Sequence, residues 1–148
     1  MTSTVASGER QACTFVVGDL LLGVPLAEVS EVVPGEDVTP VPLAPRAVLG
    51  MFSLRGRIVT VVDGRLRLEL PARGPGEGAG CHVIVRSNGD LVSLVVDRTS
   101  DVVTLGDAAA ESVPETVRPG IRRLVTASYQ QPQGLLLLLD PARVLSVN

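Results

Sequence analysis

The stretch Gly18-Asp-Leu-Leu-Leu-Gly-Val-Pro-Leu-Ala-Glu-Val-Ser-Glu-Val-Val33 has a counterpart later in the chain, Gly89-Asp-Leu-Val-Ser-Leu-Val-Val-Asp-Arg-Thr-Ser-Asp-Val-Val103, with one residue dropped. Both open on a Gly-Asp pair, pass through an apolar strand and close on an acidic residue followed by Val-Val. Each apolar strand completes a hairpin. Cys13 to Val17 and Leu20 to Val24 flank the tight-turn pair Gly18-Asp19, and Val83 to Arg86 and Leu91 to Val96 flank Ser87-Asn88-Gly89-Asp90, where Asn-Gly supplies positive φ. A third correspondence follows: Ile58-Val-Thr-Val-Val-Asp63-Gly-Arg-Leu and Leu135-Leu-Leu-Leu-Leu-Asp140-Pro-Ala-Arg-Val-Leu145 are both buried strands ending at Asp. The chain therefore reads as a degenerate tandem of two small β units. Closely spaced short strands without long helical crossovers predict a sandwich or barrel rather than a parallel sheet. Neither unit is large enough to bury both faces of its own sheet, so the two are expected to pack on each other.

The halves span about 13–70 and 81–148, joined by the Gly/Pro-rich segment Pro71-Ala-Arg-Gly-Pro-Gly-Glu-Gly-Ala-Gly80, which reads as a solvated linker. Residues 1–12 lack a basic n-region and an apolar h-region and read as a flexible tail, not a signal peptide. Short helices are expected at Pro45 to Leu49, Asp107 to Glu111 and Asp140 to Leu145, the last with Asp as N-cap and Pro at its first position.

Composition narrows function. Of 148 residues, 45% are hydrophobic, yet only Phe15, Phe52 and Tyr129 are aromatic, against 25 Val and 20 Leu, which suits a β-branched core. There is no lysine, and all 13 basic residues are arginine, which excludes a Walker-A loop and Schiff-base chemistry. With a net charge of −3 and scattered arginines, no footprint for nucleic acid is visible. Cys13, Cys81 and the sole histidine, His82, do not make a common metal-ligand pattern; buried inert thiols and a strand-edge histidine are the expected readings. No Ser sits in a G-x-S-x-G elbow, and the Gly-rich linker lacks G-x-G-x-x-G spacing. The expectation is thus no catalytic residue, metal or cofactor. A small-molecule-binding barrel is the competing class, and it requires a convergent polar pocket. The longest aliphatic run, Leu135 to Leu139, is far too short to span a membrane, and the sequence reads as soluble and cytoplasmic.

The densest cluster is Gly50-Met-Phe-Ser-Leu-Arg-Gly56-Arg-Ile-Val-Thr-Val-Val-Asp63-Gly-Arg65. Arg55 stands between an apolar residue and a glycine, ahead of a buried strand. Its guanidinium either pairs internally with a carboxylate to shape the turn or is offered to a partner.

At this cluster the sequence resembles the CheW family, adaptors that couple bacterial chemoreceptors to the CheA histidine kinase. The matching segments are Phe15-Val-Val-Gly-Asp, Val24-Pro-Leu-Ala-Glu-Val-Ser-Glu-Val-Val33, Val38-Thr-Pro-Val-Pro-Leu-Ala-Pro45, Gly50 to Asp63, Val95-Val-Asp97 with Ser100-Asp-Val-Val103, and Leu136 to Leu145. The resemblance implies an all-β fold of two intertwined five-stranded SH3-like β-barrels on a shared core, with a few short helices and strands exchanged between lobes. It implies a non-enzymatic scaffold whose first barrel docks the regulatory domain of a CheA-type kinase and which binds the cytoplasmic tip of chemoreceptors near the junction, so that it is recruited to membrane-associated receptor arrays. Carried over to this chain, the interface residues are Val29 and Glu31, Gly50 and Arg55 with Gly56, and an aliphatic patch including Val38 and Val41. An ion pair between Glu31 and Arg55 is expected beside the binding surface.

Three positions depart from the family pattern: Ser53 replaces the usual Asn, Gly64 the usual Leu, and Ser93 the usual Gly. Gly64 is expected to weaken a strand end, and Ser93 to add a side chain where a partner or backbone approaches closely. These departures motivate an alternative: a divergent adaptor, in a chemosensory-like pathway of surface motility or development, that has lost one of its two interfaces.

Overall fold

The computed structural model describes residues 10–35, 38–74, 76–105 and 112–146. The first half contributes β1 (Gln11–Val17), β2 (Leu20–Pro25), a 3-10 turn (Leu26–Glu28), β3 (Val29–Pro34), β4 (Val48–Leu54), β5 (Arg57–Asp63) and α1 (Gly64–Arg67). The second contributes β6 (Cys81–Ser87), β7 (Asp90–Val96), β8 (Arg98–Thr104), α2 (Pro119–Arg122), β9 (Val125–Gln131), β10 (Gly134–Leu139) and α3 (Pro141–Val144). Both predicted hairpins are present: Cys13 faces Val24 across the first, and Cys81 faces Val96 across the second.

The strands form two five-stranded sheets, in the orders β8-β1-β2-β10-β9 and β3-β6-β7-β5-β4. Each sheet holds the hairpin that opens one half, flanked by a single strand and a second hairpin from the other half. The fold is therefore an exchange between the repeats, and neither sheet belongs to one half of the sequence. Pairing is antiparallel except at two equivalent places, where β2 meets β10 and β7 meets β5 in parallel. Parallel neighbours were not expected from the short connections, but here the connection between such strands runs through other strands of the molecule, which satisfies the long crossover that parallel pairing needs.

This exchange explains why so many strands read as unbroken apolar runs. Residues Phe15, Val17, Leu22 and Val24 of one sheet and Val62, Val83, Val85, Leu94 and Val96 of the other share one large core between the sheets. The opposite face of each sheet is also covered. Phe52, Val59, Val61, Ile84, Leu91 and Val95 cluster inside the second sheet, and Ala12, Leu105, Tyr129, Leu136 and Leu138 inside the first. A strand buried on both faces loses the polar alternation of a half-exposed one. All three aromatic residues are buried, Phe15 in the shared core and the other two in the separate interiors.

The Asp that ends each matched strand has a definite task. Asp63 accepts from the backbone N–H groups of Arg65 and Leu66, and Asp140 accepts from that of Ala142, so each caps the short helix that follows. Other expectations need revision. Pro45 to Leu49 is not a helix: Val48 N–H donates to the Pro45 carbonyl (2.9 Å) in a turn, after which β-branched Val48 enters β4 opposite Val62. Gln11 and Ala12, assigned to the tail, begin β1; the rest of the tail and the expected helix at 107–111 lie outside the described residues. Gly64 is no weakened strand end. It starts α1, where a Cβ would stand 2.4 Å from the Val95 carbonyl oxygen, so the absent side chain lets α1 lie directly on β7.

Candidate protein-docking site

The turn between β4 and β5 is made by Arg55 and Gly56, with φ of 50° and 82°. Two positive φ values in a two-residue loop match the right-handed twist of the strands they join. The turn lifts the Arg55 side chain into solvent, where it is 73% exposed, and its guanidinium forms the expected ion pair with Glu31 on β3. Arg55 thus has the internal partner of one reading, while remaining exposed. The pair also reports shape. β3 and β4 are the two outer strands of their sheet, so contact between β3 and the β4–β5 turn requires the sheet to curl until its edges approach. Strand number and order fit the barrel expectation; among the described residues no ladder closes β3 on β4 or β8 on β9.

Gly50, on β4, has a packing reason to be glycine. Its φ is 147°, and a Cβ there would fall 2.1 Å from the Thr39 carbonyl oxygen. Without that atom, Thr39 and Met51 exchange two backbone hydrogen bonds (2.8 and 2.9 Å), which lays the segment after β3 along β4. Val38 is thereby packed against the interior of the second sheet. Gly56 has open space around its missing Cβ, so its backbone conformation alone favours glycine.

Val29, Val38 and Val41 are only half-exposed, with Val29 packed on the shared core. Among the described residues, the large apolar side chains that do face solvent are Val32 on β3, Leu43 in the following loop, Leu49 on β4, Ile58 on β5, the last of these 61% exposed, and Val102 on β8 of the other sheet. Ser93 does not belong to this surface at all. It is fully buried on β7 and hydrogen-bonded to Nδ1 of His82 (2.7 Å), whose ring lies 4.7 Å from that of Phe52. Successive strand residues face opposite sides, and the Leu91-Ser93-Val95 side points inward, so neither Ser93 nor His82 is at a surface or sheet edge. Of the three departures from the family pattern, only Ser53 is exposed, opposite Ile58.

A second cluster was missed because its members are far apart in sequence. The Asp97 carboxylate, between β7 and β8, accepts from Nε and Nη2 of Arg65 (3.0 and 2.9 Å), from Nη1 of Arg73 (2.9 Å) and from the Gly18 backbone N–H (2.7 Å). Burial pushes the Asp97 carboxyl up, but the Arg65 and Gly18 hydrogen bonds and the two guanidiniums outweigh it and hold the group below its ordinary value. Arg65 also binds Glu77, whose carboxyl is lowered first by the Gly74 N–H and then by Arg65. The segment read as a solvated linker is therefore tied to the molecule at Arg73 and Glu77. The signal lay in Asp63-Gly-Arg65 and Val95-Val-Asp97, both visible, but their pairing depends on the strand exchange. Cys13 is buried, which pushes its thiol up and fits an inert core residue.

Against this geometry, similarity to known proteins is informative. The chain is 34% identical over 113 residues to a chemotaxis protein CheW of Rhizobium meliloti, covering 75% of this chain and 71% of the relative. It is 27% identical over 139 residues to that of Treponema pallidum, covering 92% and 82%. It is also 33% identical over 119 residues to protein FrzA of Myxococcus xanthus, covering 72% of each. The crystal structure of scaffolding protein TtCheW from Thermoanaerobacter tengcongensis superposes with a TM-score of 0.81 over 94% of both chains at 23% identity, a likeness of fold. The profile of the CheW-like domain matches residues 11–148, from the first residue of β1 through all ten strands and α3, and with the exchanged sheets just described it shows that this chain belongs to the CheW-like family.

Proposed function

We propose that this chain is a chemotaxis scaffold that holds a CheA-type histidine kinase to chemoreceptors, with the curled face around Glu31 and Arg55 as the kinase-docking surface. The family couples receptors and CheA in general, and nothing in that task requires bond chemistry. The observation that carries the reading is an exposed ion pair between β3 and the β4–β5 turn, on a sheet whose strands also present exposed aliphatic side chains, Val32 on the other face of β3 and Ile58 on β5. Apolar groups supply contact area in such a patch, while a rim charge fixes orientation and tunes the association rate. Kinase and receptor bound to one rigid body become coupled when receptor state alters how well that body fits the active kinase. The alternative, a specialised adaptor lacking one interface, accommodates the FrzA relative, but it draws little from Ser93 and Gly64, which are interior.

Calorimetric titration with the regulatory domain of the kinase from the same organism tests the proposal. Binding of about −8 kcal/mol, micromolar or tighter, is the expected result. Ile58→Asp is expected to weaken it at least about tenfold and Arg55→Ala by less, both with an unchanged fold, because both side chains are exposed. No binding by folded protein, or full affinity in Ile58→Asp, would overturn the assignment of this face.

A further inference from the structure

Four of the arginines converge on one cleft. Arg46 and Arg67 from the first half and Arg123 from the second line a cleft of about 340 Å³, with Leu66 and Ser146 in its wall; Arg143 joins Arg67 and Arg123 in a shallower extension. The cleft lies between the loop before β4, α1, the end of α2 and the end of α3, so only the assembled halves create it.

Three guanidiniums are braced by the backbone. Arg67 donates from Nε to the Val144 carbonyl (2.7 Å) and from Nη2 to those of Arg143 and Ser146 (2.8 and 3.1 Å). Arg123 Nε donates to Gly120, and Arg143 Nη1 to Arg123 (both 3.3 Å). Arg46 has no ion-pair or hydrogen-bond partner among the described residues. Among the described residues, two carboxylates answer the four cations. Glu69 stands 3.9 Å from Arg123, both well exposed, and Asp140 stands 3.5 Å from Arg143 while capping α3. Among the described residues the excess is two positive charges, in a protein whose net charge is −3. Burial and then the like charge of Arg123 push the Arg67 guanidinium down from its ordinary value, against a smaller opposing pull from Glu69.

We propose that this cleft binds a phosphate dianion, free or as a small phosphomonoester. Arginine forks match the tetrahedral oxygens of phosphate and reach them with two N–H groups at once, and the nitrogens not spent on carbonyls remain to do so. A dianion matches the excess charge, where a single carboxylate would neutralise half of it. The volume falls within the range of small-ligand sites, and a cleft lined by one sign of charge concentrates counter-ions. The lining of the site includes neither Glu31 nor Arg55, and the proposal stands or falls independently of kinase docking.

Amide NMR of the full chain, titrated at constant ionic strength with inorganic phosphate, glycerol 3-phosphate or acetate, tests this. Both phosphates are expected to shift the amides of Leu66, Glu69, Arg123 and Ser146 saturably, with a midpoint of about 1 mM or tighter, and acetate to leave them in place. Tighter binding of the ester assigns the ligand to an organic phosphate, and equal or tighter binding of the free ion to phosphate itself. The double variant Arg46→Gln with Arg123→Gln is expected to weaken binding at least about tenfold, and Arg57→Gln, on the exposed side of β5, to leave it unchanged. Shifts that never saturate, equal shifts with acetate, or equal weakening by Arg57→Gln would overturn the proposal.

Discussion

Gly50 and Gly56 sit in the same motif, but the chain needs them for different reasons. At Gly50 both space and backbone forbid a side chain: φ is 147°, and the Thr39 carbonyl oxygen occupies the position a Cβ would take. At Gly56 only φ, 82°, is unfavourable. Gly50→Ala is therefore expected to cost upward of about 2 kcal/mol, because the segment carrying Val38 must lift from β4, whereas Gly56→Ala costs about 1 kcal/mol. Denaturant midpoints of the two variants, compared at equal slope, check the order; equal losses would mean that the Thr39 contact can relax. At this scale the sequence was a good guide to backbone and a partial guide to side chains. Gly-Asp, Asn-Gly and Arg-Gly announce turns through their own φ preferences, and Asp140-Pro141 announces a capped helix. The ion pair of Glu31 with Arg55 was reachable only through the family likeness. That Ser93 and His82 satisfy each other inside a sheet was not legible, because a polar residue in an apolar strand looks the same whether it faces solvent or a buried partner.

Single elements are held here by contacts whose logic belongs to the fold. The 71–80 segment looked free because glycine and proline give no apolar anchor, yet Arg73 and Arg65 meet on Asp97, and Glu77 closes on Arg65. Asp97 simultaneously holds the β1–β2 turn through the Gly18 N–H, so one carboxylate fastens a turn, a helix start and the crossing segment. Asp97→Asn keeps the shape and loses the charge, while Arg65 and Arg73 remain largely buried. We expect a loss of about 2–3 kcal/mol at pH 7, with faster proteolysis within 71–80. The pH dependence gives a sharper check. The folded-state value of Asp97 lies below the unfolded value of about 3.9, so its contribution is fully present above that value and disappears as pH falls through the lower folded-state value. Wild type and Asp97→Asn should therefore differ in stability at neutral pH and converge below about pH 4. A difference that stays constant to lower pH would assign the effect to packing instead of charge.

At the scale of the whole molecule, strand exchange is the feature that pattern reading could not supply. The repeat was visible as two hairpins and two Asp-terminated strands, and it predicted two units in contact. Which strands lie beside which is decided by long-range pairing, and both outcomes, separate or exchanged, keep the same apolar pattern. Exchange has a measurable consequence. A break between Gly78 and Ala79, in an exposed stretch, separates β1–β5 from β6–β10. Alone, the first piece retains only the β1–β2 and β4–β5 hairpins, because β3 pairs with β6, β2 with β10 and β5 with β7. The second piece likewise keeps β6–β7 and β9–β10 but loses the strand against which β8 lies. The shared core is divided between them as well, with Phe15 and Leu22 on one side of the break and Val83 and Leu139 on the other. Isolated hairpins are marginal in water, so each piece is expected to be unfolded by circular dichroism and amide NMR, and equimolar mixing to restore a single cooperative fold. A cooperative transition in either piece alone would mean that its strands can close a sheet without their exchanged partners, and that the pairing between halves is a late addition to units already stable.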